Sequence, residues 1–337
     1  MIERFIKKDI TLRRWRIFKR QKISFFSLFA FLIICFFSFT AEFWANSKPI
    51  YLKHQGKTYF PTFKTYHPSE FEGFTGFKAD YREIAKTADS VVWPFIQWDP
   101  YESNNVLDTY PSKPSFQNLM GTDDRGRDVL TRTLYGFRYS ITYAFLVWAV
   151  SLFIAIILGG LMGYFGGWFD LVGQRVVEVM DTIPILFILL ILASIFKPNL
   201  WLLVAITSVF GWIFFSRYVR AEFLKLRKRS FVEVGGALGA SHARIIFKHI
   251  LPNSLVPIIT FSPFIIAGHI YSLSALDYLG FGLQPPTPSW GELLSQARDK
   301  VTYAWWLAVF PSIALFVTLA LLGLVGNGVR SAMDPKK

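Results

Sequence analysis

Few residues of this sequence have the types and spacing that covalent or metal chemistry requires. Cys35 is the single cysteine among 337 residues, so neither an intrachain disulfide nor a multi-thiolate metal site can form. No nucleophile stands beside a base in a recognisable motif. The histidines are scattered along the chain: His54, His67, His242, His249 and His269. The sequence therefore predicts a non-catalytic chain with no metal site and no cofactor.

One short string resembles part of a nucleotide-binding motif. Residues 56–58 read GKT, which is how a phosphate-binding loop ends. Such a loop needs a further glycine five residues before Gly56, and Tyr51 stands there. We therefore expect no ATPase in this chain.

Ionisable residues inside apolar segments are candidates for function by default. Glu178 and Asp181 are expected to lie at the start of a helix, where an acid stabilises the N-terminus structurally. His269 is expected to be a satisfied residue inside a helix bundle, with a proton relay as the alternative. Pro184 and Pro263 are expected to kink helices along a pathway, although packing alone could account for both.

The elements that carry these residues are those of a membrane protein. Hydrophobic residues make up 53% of the chain and charged residues 18%, and the mean hydropathy is +0.36. A soluble domain of this length carries more charge. A spanning helix needs about 20 apolar residues, and the segments that meet this need are 23–41, 139–169, 176–196, 198–216, 252–276 and 301–329. The expected fold is an all-α integral membrane protein with six transmembrane helices.

The net charge of +13 is concentrated beside apolar segments, which is the pattern of cytoplasmic loops rather than of a nucleic-acid-binding face. The basic clusters are Arg4, Lys7, Lys8, Arg13, Arg14, Arg16, Lys19, Arg20 and Lys22, and then Arg217, Arg220, Lys225, Arg227, Lys228 and Arg229. With six spans, both termini and the segment before residue 250 are then cytoplasmic. The expected location is the bacterial inner (plasma) membrane, crossed several times, with no nucleic-acid partner.

Four regions follow from this topology. Residues 1–22 form a basic cytoplasmic N-terminus and residues 23–44 the first transmembrane helix. Residues 45–120, called the insert below, are external (periplasmic), and their aromatic and proline content favours a small folded unit. Residues 121–337 form a core with five further transmembrane helices and a cytoplasmic loop at 218–250.

A polar, glycine-rich stretch divides the fourth span from the fifth. Ser230 and Glu233 have the spacing of a capping box, and a short helix over residues 231–238 would place Phe231, Val234 and Leu238 on one face. Gly239 is expected to end that helix with a positive φ. Ser241 is expected to cap a second helix over 242–250, after which Pro252 opens span five. We call residues 231–250 the elbow; a plain solvated connector is the alternative.

Two further motifs are expected on the external side. Residues 121–140 read GTDDRGRDVLTRTLYGFRYS. This pattern predicts a turn from Gly121 to Gly126 and then a helix with Asp128 in its first turn. The alternative is an interfacial helix that directs the chain into span two. Residues 276–294, which we call the proline loop, read LDYLGFGLQPPTPSWGELL. We expect this loop at the outer mouth of the helix bundle, stiffened by its prolines. Trp290 is expected to be exposed there as an interface anchor.

These three motifs resemble those of ABC importer permeases of the oligopeptide and dipeptide (C-type) family, and most of all the Yej-type peptide (microcin C) subgroup, over residues 115–335 and the first span. The elbow is similar to the family's E-A-A-x3-G-x9-I-x-L-P loop, with Val234 and Gly235 in place of the alanines and His249 in place of the isoleucine. Its matching positions are Phe231, Glu233, Val234, Gly235, Leu238, Gly239, Ser241, Leu251 and Pro252. The external motifs match at Gly121, Thr122, Asp123, Gly126, Arg127 and Asp128, and at Gly280, Gly282, Gln284, Pro285, Pro286, Pro288, Ser289, Trp290 and Gly291.

The resemblance implies a permease subunit of an ATP-driven ABC importer, with peptides as substrate. It implies that the elbow docks into a cytoplasmic ATPase, and that the chain pairs with a second homologous permease and an external peptide-binding protein within the lipid bilayer. The alternatives are an ion-coupled secondary transporter, which would show inverted repeats and buried ion-binding acids, and a membrane-embedded enzyme. The sequence shows no inverted repeats or buried ion-binding acids for the first, and no nucleophile with a base and no metal cluster for the second.

Overall fold

The computed structural model describes residues 9–71 and 79–334. Three residues of the N-terminal basic cluster, Arg4, Lys7 and Lys8, lie outside these ranges. The chain begins with α1 (Asp9–Arg20), a basic helix, followed by the apolar α2 (Lys22–Phe39) and one short turn of helix, α3 (Ala41–Trp44). The buried residues of α2 are three serines, Ser24, Ser27 and Ser38, while most of its aromatic side chains face outward. Helix α2 therefore presents an apolar surface suited to lipid.

The insert contains a small antiparallel sheet of three strands in the order β2-β1-β3. Its strands are β1 (Tyr51–His54), β2 (Lys57–Tyr59) and β3 (Ser90–Val92), and helix α4 (Tyr81–Lys86) packs beside them. Leu52 of β1 faces Tyr59 on one side and Val91 on the other. Leu52, Tyr59, Phe71, Tyr81 and Ile84 form a buried cluster. The insert thus has a hydrophobic core of its own, as its composition suggested.

The membrane-spanning part contains, within the described residues, five helices long and apolar enough to cross a bilayer and one bent pair of helices that together have the length and composition of a sixth. The remaining elements are α5 (Val129–Phe165), α6 (Gly167–Asp181), α7 (Ile185–Ile195), α8 (Leu200–Leu226), α9 (Ser230–Ala237), α10 (His242–Arg244), a π-helical turn (Ile245–Ile250), α11 (Leu251–Tyr278), α12 (Trp290–Ala297) and α13 (Trp306–Met333). The predicted helical membrane fold is confirmed for the spanning part, while the insert adds a small sheet.

The third span differs from the expected straight helix. Helices α6 and α7 meet at an angle of 67°, and Pro184 begins α7 as its N-cap. Pro184 therefore lies at the bend, as proposed for it. The prediction for Glu178 and Asp181 is wrong, because both residues lie at the C-terminal end of α6 rather than at a helix start. Asp181 instead forms an ion pair with Arg217 of α8.

Two helical segments begin earlier than the apolar segments of spans two and five. Helix α5 begins at Val129, directly after the turn as predicted, and extends the apolar segment that starts at residue 139 by ten residues; Asp128 is its N-cap rather than a residue of its first turn. Span five begins near Pro252 as expected, because α11 starts at Leu251 with the proline in its first turn. The second half of the elbow joins it without a break, so that one helical segment runs from His242 to Tyr278.

Helices α5 and α8 make the closest packing of the bundle. A Cβ built on Gly159 would lie 2.8 Å from the Ser216 carbonyl oxygen, and one on Gly163 would lie 2.7 Å from the Arg220 carbonyl oxygen. Glycines at these positions let the two backbones approach each other, as small residues do between membrane helices. Helix α11 packs against α13 and α5, and α2 lies against α13. The elbow is thereby joined to the centre of the bundle.

Candidate functional site

The elbow is built from two short helices that meet at a tight turn. Gly239 has a φ of +78°, as its cap position predicted. The N–H of Ala240 donates to the Gly235 carbonyl at 3.0 Å and the N–H of Leu238 to the Val234 carbonyl at 3.0 Å. The Ser241 hydroxyl then accepts from the Arg244 N–H at 3.4 Å and caps the next helix. The helix–turn–helix form of the elbow is therefore present.

The capping box is absent. Helix α9 includes Ser230, its N-cap is Arg229, and no side chain caps its first turn. Arg229 has the extended φ and ψ of an N-cap, so the helix begins one residue earlier than the Ser230–Glu233 spacing implied. Glu233 lies in the first turn, where its charge favours the helix dipole without a reciprocal hydrogen bond.

Helix α9 has one buried and one exposed apolar side. Val232 is buried and belongs to the cluster that contains Ile245 and Ile250 of the second half of the elbow. On the other side, Val234 is 56% exposed and Leu238 is 82% exposed. Such apolar side chains on a polar segment mark an interaction surface.

The elbow is also tied to the corner between α5 and α6. The Tyr164 hydroxyl lies 2.7 Å from Nδ1 of His242, and Arg227 donates to the Tyr164 carbonyl at 3.0 Å. About two turns earlier in α8, Arg220 pairs with Asp170 of α6 through two hydrogen bonds. These contacts connect the elbow to α5 as well as to its flanking helices α8 and α11.

At the opposite end of the bundle, the two external motifs meet in a buried ion-pair network. Arg127 pairs with Asp123 at 2.6 Å and with Glu292 at 3.0 Å. Arg132 pairs with the other oxygen of Glu292 and lies 3.4 Å from Asp123. Asp123 and Arg132 are fully buried. The GTDDRGRD motif and the proline loop, 160 residues apart in sequence, thus form one structure.

Arg132 also binds the backbone of neighbouring loops. Its guanidinium donates to the carbonyls of Pro100 at 2.8 Å, Pro286 at 3.2 Å and Thr287 at 3.4 Å. Pro100 belongs to the insert, and Pro286 and Thr287 belong to the proline loop. A planar guanidinium with several donors suits such a junction, so Arg132 holds the insert, helix α5 and the proline loop together.

The turn before α5 has the predicted form. Gly121 and Gly126 both have a φ of +75°. A built Cβ at Gly121 would lie 2.7 Å from the Ser112 carbonyl oxygen, so the backbone needs a glycine there. The Asp128 carboxylate accepts from the Thr131 N–H at 2.8 Å and from the Asn118 amide at 2.9 Å. Burial raises the pKa of Asp128, and these hydrogen bonds only partly oppose it.

The proline loop is held by Asp277 at the end of α11. Its carboxylate accepts from the Leu283 N–H at 2.6 Å and from the Ser289 hydroxyl. Gly282 and Gly291 lie against Asp277, with no room for a Cβ at either position. Gln284 donates to the carbonyls of Gly280 and Gly282. The loop is therefore a rigid cap on the bundle.

The expectation that Trp290 is exposed is wrong. It is 2% exposed, its indole N–H donates to the Thr133 carbonyl at 2.9 Å, and its ring packs on Phe137. Gly136 makes room for it, because a built Cβ there would lie 3.2 Å from the indole. Trp290 thus anchors the loop onto α5 and cannot itself contact a partner.

Sequence reasoning named the motifs but missed the residues that join them. Arg132, Glu292 and Asp277 were not among the predicted site residues, although each lies in or beside a quoted motif. Charged residues with opposite signs inside two glycine- and proline-rich motifs are a signal that could have paired them. His269 lies partly buried in α11, and its role as a satisfied residue of the bundle interior stays a prediction.

Comparison with known proteins identifies the family to which this architecture belongs. Residues 155–337 match the family described as binding-protein-dependent transport system inner membrane component. The inner membrane ABC transporter permease protein YejE of Escherichia coli (strain K12) is 39% identical over 330 residues, covering 96% of each chain. This chain belongs to that family of ABC importer permeases.

Other relatives agree with this assignment. The peptidoglycan transport system permease protein YejE of Agrobacterium fabrum is 36% identical, with 97% of this chain and 93% of the relative covered. The dipeptide transport system permease protein DppC of Alkalihalophilus pseudofirmus is 34% identical, with 69% of this chain and 78% of the relative covered. The resemblance read from the motifs is confirmed, including the Yej-type subgroup.

A solved structure has the same fold. The inward-facing MetNI methionine ABC transporter matches with a TM-score of 0.50 and 15% identity, over 61% of this chain and 97% of the transporter chain. The family match and the YejE relatives show that the chain is a multi-pass inner-membrane transport permease, so the secondary-transporter alternative is wrong.

Proposed function

We propose that this permease carries peptides inward as one half of a translocation path whose other half is a second homologous permease. A cytoplasmic ATPase drives it through the elbow, and an external binding protein delivers the peptide. The ATPase dimer has two nucleotide-dependent states, and the elbow biases the helix bundle between inward-open and outward-open forms. The chain itself carries no ATPase, cofactor or catalytic residue in this proposal.

The observation that carries the proposal is the combination of an exposed apolar face with rigid connections. Val234 and Leu238 are exposed on α9, whereas Val232 packs into the same cluster as Val219 and Phe223 of α8. Beyond the turn at Gly239, the helical segment continues from His242 to Tyr278 without a break. A displacement of α9 by a docked partner would therefore move two membrane helices directly.

The substrate and the orientation rest on separate support. The relatives named for dipeptide and glutathione transport favour a peptide. The basic residues in α1 and around the elbow favour a cytoplasmic location for both, which puts the insert, residues 45–120, and the proline loop outside. The insert and the loop then offer the surface that receives the binding protein, with the insert rather than Trp290 supplying exposed aromatic rings.

The test is a bulky substitution in the elbow that leaves the fold alone. Gly236 lies in α9, and a Cβ built on it meets no atom within 4 Å. The change Gly236→Trp should therefore leave the chain folded and inserted but obstruct docking. We expect peptide uptake and co-purification of the ATPase to fall at least about tenfold, the equivalent of about 1.4 kcal/mol of binding.

The matched control is Gly236→Ala at the same site. Alanine favours the helix and adds only a methyl group in open space, so uptake and ATPase association should stay within about twofold of the parent protein. Normal uptake and normal ATPase association in Gly236→Trp would exclude the elbow as the docking element. Equal losses in both variants would instead point to a defect in the fold of α9.

A further inference from the structure

Helix α2 fixes the level of one membrane boundary. It has 18 residues, from Lys22 to Phe39, which at 1.5 Å per residue span about 27 Å. The hydrocarbon core of a bilayer is about 30 Å thick. The end of α2, at Phe39 and Thr40, therefore lies at the boundary between acyl chains and headgroups.

Three aromatic side chains lie at that level, and we call them the rim cluster: Phe43, Trp44 and Phe63. Trp44 contacts Phe37 of α2 with ring centroids 4.9 Å apart, and Phe43 contacts Phe63 at 5.4 Å. Phe63 is 64% exposed and Phe60 is 46% exposed. A turn of the insert, residues 60–64, thus reaches back to the end of a membrane helix.

This turn is held in place by hydrogen bonds. The Thr62 hydroxyl donates to the carbonyls of Pro49 at 3.0 Å and Lys48 at 3.3 Å, directly after α3. The N–H groups of Phe63 and Lys64 donate to the Phe60 carbonyl at 3.0 and 3.1 Å. The exposed rings therefore have a fixed position relative to α2.

We propose that the rim cluster is embedded in the headgroup region of the bilayer, so that the insert rests on the membrane surface. Aromatic side chains favour this region of a bilayer, where an apolar ring meets polar headgroups. The cluster continues the exposed apolar face of α2, on which Phe36 and Phe39 are 58% and 52% exposed. Lys64, next to Phe63, is exposed, and its ammonium lies 5.2 Å from the centre of the Tyr66 ring.

The proposal concerns lipid and needs neither the ATPase nor the binding protein. Its failure would leave the proposed transport function untouched. A second protein subunit lying over the same face is the competing explanation, and the experiment separates the two.

The experiment measures the environment of a label at residue 63. Cys35, the single cysteine, is first replaced by alanine. Phe63→Cys is then labelled with a small fluorophore in the full chain, assembled with its partner subunits in phospholipid nanodiscs. Quenching is compared between lipids that carry nitroxide near the headgroup and a water-soluble quencher.

The matched control is Phe116→Cys, a fully exposed phenylalanine of the insert. Ser38, near the end of α2, donates a hydrogen bond to the Leu134 carbonyl of α5, which places these two residues at the same level. Asp128 lies six residues before Leu134, on the side away from the bilayer. Asn118, two residues after Phe116, donates a hydrogen bond to Asp128. Six helical residues span roughly 9 Å, so residue 116 lies farther from the bilayer than the rim cluster.

We expect several-fold stronger quenching by headgroup nitroxide at residue 63 than at residue 116, with the water-soluble quencher showing the reverse order. Equal quenching profiles at the two positions would overturn the proposal. Protection of residue 63 from both quenchers would also overturn it, because that result would show a protein partner over the rim cluster.

Discussion

At the scale of single residues, the molecule depends on charges placed where water cannot reach them. Asp123 and Arg132 are fully buried, and Arg127 and Glu292 nearly so. Removing one member of a buried ion pair leaves an uncompensated charge, which costs about 3–5 kcal/mol. Each of these four residues faces two opposite charges or several carbonyls, so the network is satisfied only when both external motifs are in place.

Arg132→Met should lower stability by about 3 kcal/mol or more, because Glu292 and three carbonyls each lose a donor. The measurement is the thermal unfolding midpoint of the purified protein in detergent. The double variant Arg132→Met with Glu292→Gln should lose less stability than the sum of the two single variants, with a coupling of about 0.5–3 kcal/mol.

The control is Arg175→Met, which breaks an exposed pair with Glu178 and should change stability by less than about 1 kcal/mol. Equal effects of Arg132→Met and Arg175→Met would contradict a structural role for the network.

At the scale of elements, the contact between α5 and α8 decides how closely two membrane helices approach. The backbone atoms of Ser216 and Arg220 lie within 3 Å of the positions that side chains on Gly159 and Gly163 would occupy. Lipid offers apolar side chains no hydrophobic gain over helix contact, so close packing is what holds such a pair together. The corner contacts of Arg227 and His242 with Tyr164 then transmit any movement of the elbow to the same pair.

Gly163→Ala should force α5 and α8 apart, because the new methyl group would lie 2.6 Å from Cβ of Phe223. Overpacking of this kind costs about 1–3 kcal/mol. Gly323→Ala in α13, where a Cβ meets nothing within 4 Å, should be neutral or slightly stabilising. Both variants can be compared by thermal unfolding and by crosslinking between α5 and α8. Indistinguishable midpoints for the two alanine variants would argue against tight packing at Gly163.

At the scale of the whole molecule, the bundle separates two surfaces of different character. One end carries the elbow with the basic residues of α8, and the other carries the insert and the proline loop, joined by Arg132. An importer needs this separation, since the energy source and the substrate lie on opposite sides of the membrane. The orientation that we propose rests on the distribution of positive charge.

Cysteines in a Cys35→Ala background should show this orientation with a membrane-impermeant maleimide. Lys57→Cys, exposed in the insert, should react in intact spheroplasts. Glu233→Cys, exposed in the elbow, should react only after the membrane is permeabilised. Labelling of residue 233 from outside would reverse the assigned orientation.

The sequence by itself determined the class of the protein and the places of its apolar segments, because a segment long enough to cross a bilayer is readable without neighbours. It also determined the turns at Gly121, Gly126 and Gly239, since a positive φ strongly favours glycine. Those local features need no knowledge of the rest of the chain.

Only the tertiary structure decided which distant residues share a site. It brought Arg132 to Glu292, buried Trp290 against α5, bent the third span at Pro184 and joined the elbow to α11 without a break. Spacing along the chain carries no information about a contact across 160 residues. Such contacts depend on how helices pack, and packing is set by all their side chains together rather than by any one motif.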